Sequence, residues 1–136
     1  MRRYLLDTSP LSSYLSGRSG ALSLMTPWVR AREAVTSIVI YGEVVEYLRS
    51  HPHPRRKVSE LRRLLQEVRP IILSYSILER YADLRRQMRA GGLIGDVDSL
   101  IAATALEHSL TVVTIDEDFR RVPGLSVMLL VRAQLR

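Results

Sequence analysis

Short, nearly continuous apolar runs alternate with longer stretches of helical periodicity along the whole chain, and no other feature limits its fold as much. The strand-like runs are Arg3-Tyr4-Leu5-Leu6, Ala34 to Ile40, Ile71-Ile72-Leu73, Thr111 to Ile115 and Ser126 to Leu130. Between them, Leu11, Tyr14 and Leu15 recur at helical spacing after Asp7-Thr8-Ser9-Pro10, a helix-start sequence. Helices are further expected over Ala21 to Glu33, beyond Gly42-Glu43, and over Val58 to Val68 between the His51-Pro52-His53-Pro54 break and Pro70. Two more cover Ser76 to Arg89, closed by Gly91-Gly92, and Asp96 to His108, with a helical turn over Asp116 to Arg121. Strands this apolar need cover on both faces, which predicts a parallel sheet with helices on either side. With 136 residues, no internal repeat and no composition break, the expectation is one α/β domain over residues 1–136.

The chain has no cysteine, so disulfides, thiol nucleophiles and cysteine zinc sites are excluded, and its three histidines are too scattered to build a metal site. The formal charge is +6, and Lys57 is the only lysine among 20 basic residues. An arginine excess suits a phosphate-bearing partner, nucleic acid first, although a GC-rich codon bias accounts for it equally well. Arg2 and Arg3 precede a short apolar run that Asp7 and Pro10 interrupt, which argues against a signal peptide. No run approaches ~20 apolar residues, so a membrane span is not expected and a cytoplasmic location is.

The chemistry lies in where the acids fall. Asp7 follows the first strand, Glu43 lies about a helical turn beyond the second, Asp96 and Asp98 open a helix, and Asp116 and Asp118 follow the strand Thr111 to Ile115. In a parallel sheet all strand C-termini share one edge, and ligands bind in the crevice outside it. Carboxylates crowded there raise one another's pKa, and a divalent cation relieves that penalty. An oxygen-only donor set suits Mg²⁺ or Mn²⁺. A cation so held can activate water against a phosphodiester. Each acid also has a purely local role open to it: Asp7, Asp96 and Asp116 as helix caps, Asp98 as a first-turn residue favoured by the helix dipole, Glu43 as a solvated helix residue.

The stretches Leu5-Leu6-Asp7-Thr8-Ser9, Ser37 with Gly42-Glu43, Asp96-Val97-Asp98-Ser99-Leu100-Ile101-Ala102-Ala103-Thr104-Ala105, and Val113-Thr114-Ile115-Asp116-Glu117-Asp118-Phe119 resemble, in order, the four acidic motifs of PIN domains, nearest to the VapC-type toxins of toxin–antitoxin pairs. The resemblance runs from about Arg3 to Leu130. It implies a PIN-like three-layer α/β/α domain with a central, mainly parallel sheet of four to five strands. It also implies a Mg²⁺- or Mn²⁺-dependent endoribonuclease inhibited by a small VapB-like antitoxin. Carried over by position, Asp7, Glu43, Asp98 and Asp116 match the four acids. Asp7 and Asp98 would be direct metal ligands; Glu43 and Asp116 would complete the shell, hold a second ion or position the attacking water. Thr8 or Ser9 and Thr114 match hydroxyls that tie the acids down, and Asp96 and Asp118 are supporting, Asp118 competing with Asp116 for the fourth role. A housekeeping PIN nuclease of RNA maturation and a non-catalytic nucleic-acid-binding module are the alternative readings.

Two basic stretches, Arg55, Arg56, Lys57, Arg62 and Arg63, and Arg85, Arg86 and Arg89, could grip RNA, bind the antitoxin or simply face solvent. Leu11, Tyr14, Leu15, Leu22, Met25 and Trp28 suggest an apolar surplus on the first two helices, suited to a homodimer or an antitoxin groove.

Overall fold

A computed structural model of the protein describes residues 1–136. Its centre is a five-stranded sheet in the order β3-β2-β1-β4-β5, with every pairing parallel. The strands are β1 (Tyr4–Leu6), β2 (Ala34–Ser37), β3 (Arg69–Ile71), β4 (Thr111–Thr114) and β5 (Ser126–Leu129). Six helices join them: α1 (Thr8–Leu15) and α2 (Ser19–Arg30) between β1 and β2, α3 (Ile38–Leu48) and α4 (Pro54–Leu64) before β3, α5 (Tyr75–Met88) and α6 (Asp96–Glu107) before β4. The chain steps outward from β1 through β2 to β3, then crosses to the far side of β1 for β4 and β5. Right-handed crossovers in these two directions place helices on opposite faces, which makes the three-layer α/β/α arrangement. The reversal lies between β1 and β4, the point at which an open parallel sheet offers a crevice at its carboxyl edge.

The expected both-face burial of the strands is seen. Leu5, Leu6, Ala34, Val35, Thr36, Ser37, Val112, Val113 and Thr114 are all buried. The Thr36 hydroxyl donates to the Leu6 carbonyl at 2.9 Å, extending the contact between β1 and β2 past the last paired residues. α6 carries Ser99, Ala102, Ala103, Thr104 and Ala105 buried, so small residues let it lie close within the structure, packed on α5 and α3. Phe119, fully buried, pins the 3₁₀ turn Glu117–Arg121 beneath β5.

Some boundaries differ from those the sequence suggests, for physical reasons. The strand expected over Ala34 to Ile40 ends at Ser37, whose hydroxyl accepts from the Val39 N–H and caps α3, so Ile38, Val39 and Ile40 are helical despite their β-branched character. Pro70, expected only to stop a helix, lies inside β3; a proline is tolerated there because β3 is an edge strand. α4 begins at Pro54 rather than Val58, with proline at its first turn. The apolar surplus expected on α1 and α2 is largely absorbed. Leu11 and Met25 are buried, Tyr14 and Leu15 pack on the core, Trp28 stacks on Tyr4 at 4.1 Å, and only Leu22 stays exposed.

A C-terminal 3₁₀ turn over Arg132–Leu135 was not anticipated. Leu135 is buried, and the Gly20 N–H donates to the Arg136 carbonyl at 2.6 Å. Gly20 is required by proximity: a Cβ there would lie 2.5 Å from the Arg136 carbonyl oxygen and 2.6 Å from that of Gln134. The turn is therefore seated on the start of α2, beside α1.

Candidate functional site

Asp7 is the only ionisable residue among the buried ones. It directly follows β1 and occupies the N-cap position of α1, yet its side chain does not cap the helix. Instead its Oδ2 accepts from the Thr114 hydroxyl at 2.6 Å, across the crevice from β4. The same hydroxyl accepts from the Asp116 N–H at 3.0 Å, so one threonine ties the ends of both central strands together. On the other side of Asp7, the Thr8 hydroxyl donates to Glu43 Oε1 at 2.6 Å, anchoring a side chain that α3 carries back over the sheet edge. Glu43 is the sixth residue of α3, because that helix starts directly after β2. Asp98 stands in the first turn of α6 and is partly buried.

Electrostatics links these groups. Burial raises the Asp7 carboxyl above its ordinary 3.8; the Thr114 hydrogen bond opposes that rise, and the charges of Glu43 and Asp116 add to it. Burial also raises Asp98, to about 6, reinforced by the charges of Asp7, Asp116, Glu43 and Asp118. Acids from four chain segments thus crowd one another at the switch point of the sheet.

Not every candidate joins them. Asp96, the first residue of α6 after its Gly95 cap, turns toward α5: its Oδ1 lies 2.7 Å from Arg85 Nη1 without hydrogen-bond geometry, and the Tyr81 hydroxyl donates to it at 3.5 Å. Asp96 is therefore bound to a neighbouring helix, not to the other acids. Asp118 is exposed, 3.8 Å from Arg121; its N–H donates to Asp116 Oδ1 at 2.9 Å, so Asp116 caps the 3₁₀ turn that carries Asp118. Ser9 makes no side-chain hydrogen bond and lines a neighbouring cleft. That cleft, of about 390 Å³, also takes in Arg18, Arg132 and Arg136, which the sequence did not single out. Arg18 lies far along the chain from Arg132 and Arg136, and the docking of the C-terminal turn brings them to one cleft.

The donor chemistry fits a hard divalent cation. Every polar side chain at the site offers oxygen, and the histidines lie elsewhere, His51 and His53 in the loop after α3 and His108 at the end of α6. No three acids are drawn into a ready-made cage. Thr114→Val should test this arrangement. Without the hydroxyl the buried Asp7 rises further in pKa and loses its fixed orientation, so Mg²⁺ affinity should fall about 10- to 100-fold. A Mg²⁺ titration followed by thermal denaturation reads this, and unchanged affinity would remove Thr114 from the site.

A profile of the PIN domain matches residues 4–125. No curated protein matches the chain by sequence. Several solved structures share its fold. A chain of VapBC2 from Rickettsia felis, bound to a DNA fragment from their promoter, superposes with a TM-score of 0.82 at 21% identity, covering 94% of this chain and 98% of that one. One from FitAcB of Neisseria gonorrhoeae gives 0.76 at 23% identity, covering 92% and 96%. One from a toxin–antitoxin complex of Klebsiella pneumoniae gives 0.71 at 26% identity, covering 92% and 95%.

Proposed function

The chain belongs to the PIN domain family, and from that premise we propose that it is a divalent-metal-dependent endoribonuclease, the toxin half of a toxin–antitoxin pair. The observation that carries the reading is geometric: at the switch point of the sheet the Thr114 hydroxyl ties Asp7 to the backbone of Asp116 while the Thr8 hydroxyl holds Glu43, and the mutual repulsion that raises Asp98 supports it. A set of groups that repel one another in this way is costly to keep for solubility or capping alone, and the bound cation gives it a use.

Asp7 and Asp98 would hold the ion; Glu43 and Asp116 would complete its shell or place the attacking water. Mg²⁺ or Mn²⁺ bound there supplies Lewis-acid polarisation of a phosphodiester oxygen and a lowered pKa for a water. The rest is the work of this chain's own side chains. Thr114 fixes the Asp7 carboxylate and the backbone of Asp116, and Thr8 fixes Glu43, so the acids meet the substrate already oriented. No histidine is needed as a general base.

Residues 1–136 act as one catalytic domain on RNA in the cytoplasm. No helix is long and apolar enough to cross a membrane. A small VapB-like antitoxin is the proposed inhibitor, by likeness to the chains found in toxin–antitoxin complexes. A homodimer is proposed through the exposed apolar Ile72, in the loop after β3, with Tyr75 and Leu78 at the start of α5, rather than through α1 and α2.

The test is cleavage of a mixed structured RNA by the purified chain with Mg²⁺ or Mn²⁺, with EDTA, and with Asp7→Asn. Cleavage should require the metal and vanish in both controls. Metal-independent cleavage, or cleavage surviving Asp7→Asn, would refute the assignment.

A further inference from the structure

Beside the acids lies the cleft already noted, about 390 Å³ in volume, within the range of sites that hold a small-molecule-sized group such as one nucleotide. It adjoins the site: Thr8, which holds Glu43, and Ile115, which lies between Thr114 and Asp116, are among its lining residues. α1 and its C-cap residue present hydroxyls in a row, Thr8, Ser12 and Ser16, four residues apart and so on one helical face. Arg18, Arg132 and Arg136 line the same cleft. None of the three arginines has an acidic partner among the chain's salt bridges, and no acidic side chain lines the cleft. Tyr47 stands on its rim, one helical turn beyond Glu43 on α3 and 68% exposed.

We propose that this cleft is the anchoring subsite for single-stranded RNA, its arginines binding backbone phosphate and Tyr47 stacking a base beside the bond to be cut. The inference rests on the nuclease reading and extends it. Crowded carboxylates repel a polyanion, so a strand reaches them only if cationic groups nearby hold it. Arginine forks fit phosphate oxygens, and the serine hydroxyls of α1 can donate to phosphate or accept from a ribose 2′-hydroxyl. An exposed ring at the edge of a cationic groove is the arrangement by which single strands are gripped without sequence readout. A duplex, whose bases are already stacked, gains nothing from Tyr47. Gly20 positions the subsite, because the backbone turn that bears Arg132 and Arg136 rests on its bare Cα.

The test is fluorescence anisotropy with a labelled, unstructured RNA of about a dozen nucleotides, a length matched to single-strand sites. Binding is measured in EDTA across a series of KCl concentrations. Arg18→Ala/Arg132→Ala/Arg136→Ala should weaken binding at least about tenfold and reduce the slope of log Kd against log salt by about 2, the value for three lost phosphate contacts on a single strand. Arg55→Ala/Arg62→Ala/Arg63→Ala on α4, an equal loss of charge elsewhere, should leave the slope near wild type. Tyr47→Ala should cost about tenfold and Tyr47→Phe little. Gly20→Ala should weaken binding although it removes no charge. Equal slopes for the two triple variants, or no RNA binding by the wild-type chain, would overturn the subsite. Cleavage of the same RNA in Mg²⁺ separates the two readings. Cleft-dependent binding without cleavage would sink the nuclease and keep the subsite; cleavage with an unchanged KM in the Arg18/Arg132/Arg136 variant would do the reverse.

Discussion

Asp98→Asn should abolish cleavage while making the metal-free protein more stable. Loss of a metal-holding carboxylate removes interactions worth several kcal/mol in the transition state, so the rate should fall on the order of 10³-fold. The effect on stability has the opposite sign. A rise from 3.8 to about 6 corresponds to about 3 kcal/mol of unfavourable ionisation at full weight. Because Asp98 is only partly buried, solvent screening reduces this to about 1 kcal/mol. Its place in the first turn of α6 recovers some of that through the helix dipole, about 0.3–1 kcal/mol when ionised. With the dipole at the exposed-site end of that range, about 0.3 kcal/mol, repulsion and burial prevail, so asparagine should raise the denaturation midpoint in EDTA by about 2 °C at pH 7.5. A residue retained only to start the helix would behave differently, losing stability with no separate loss of cleavage. Urea or thermal denaturation of both proteins in EDTA, beside their cleavage rates in Mg²⁺, decides between the two. A destabilised asparagine variant would return Asp98 to the role of a helix residue.

The position of the acids is legible in the sequence only as far as the sheet's geometry dictates it. A carboxylate directly after a buried strand has a fixed destination, because parallel strands bring all their carboxyl ends to one edge. Asp7 and Asp116 were placed by that rule alone. Asp98 followed from the helix it opens. Glu43 was harder: its distance from the edge depends on where β2 stops, and Ile38-Val39-Ile40 reads as strand until the Ser37 hydroxyl is seen capping α3. Asp96 and Asp98 cannot be told apart by spacing, since what separates them is an ion contact to Arg85 on α5. Pro70 reads as a helix stop in the sequence, because only the strand order shows that β3 is an edge. The arginine cleft left no local signal at all. It is made by residues 18, 132 and 136, and the contact that assembles it is between backbone atoms at Gly20.

The protein's dependence on pH should reverse when Mg²⁺ is added. Asp7 and Asp98 both have folded pKa values raised above their ordinary 3.8. A carboxyl so shifted binds its proton more tightly in the folded state than in the unfolded one. Its contribution to stability is therefore fully present below about pH 3.8 and is lost as pH rises, for Asp98 through about 6. In EDTA the difference in stability between wild type and Asp98→Asn should accordingly be near zero at pH 4 and grow against the wild type by pH 7. Comparison with that variant cancels the chain's other carboxylates, whose exposed ion pairs each contribute about 0–1 kcal/mol. Mg²⁺ competes with protons for the same oxygens, so its stabilisation should increase with pH instead. At about 100 times its Kd the ion adds about 2.7 kcal/mol. For a chain of this length that is a rise of roughly 10 °C in Tm. The rise should be fully developed at pH 7.5, small at pH 5, and absent at either pH in Asp7→Asn. Equal Mg²⁺ shifts at the two pH values would mean that the ion binds somewhere other than the crowded acids. No shift in the wild type at any pH would mean that the acids repel one another without a cation to reconcile them, and the metal-dependent reading would fall with that result.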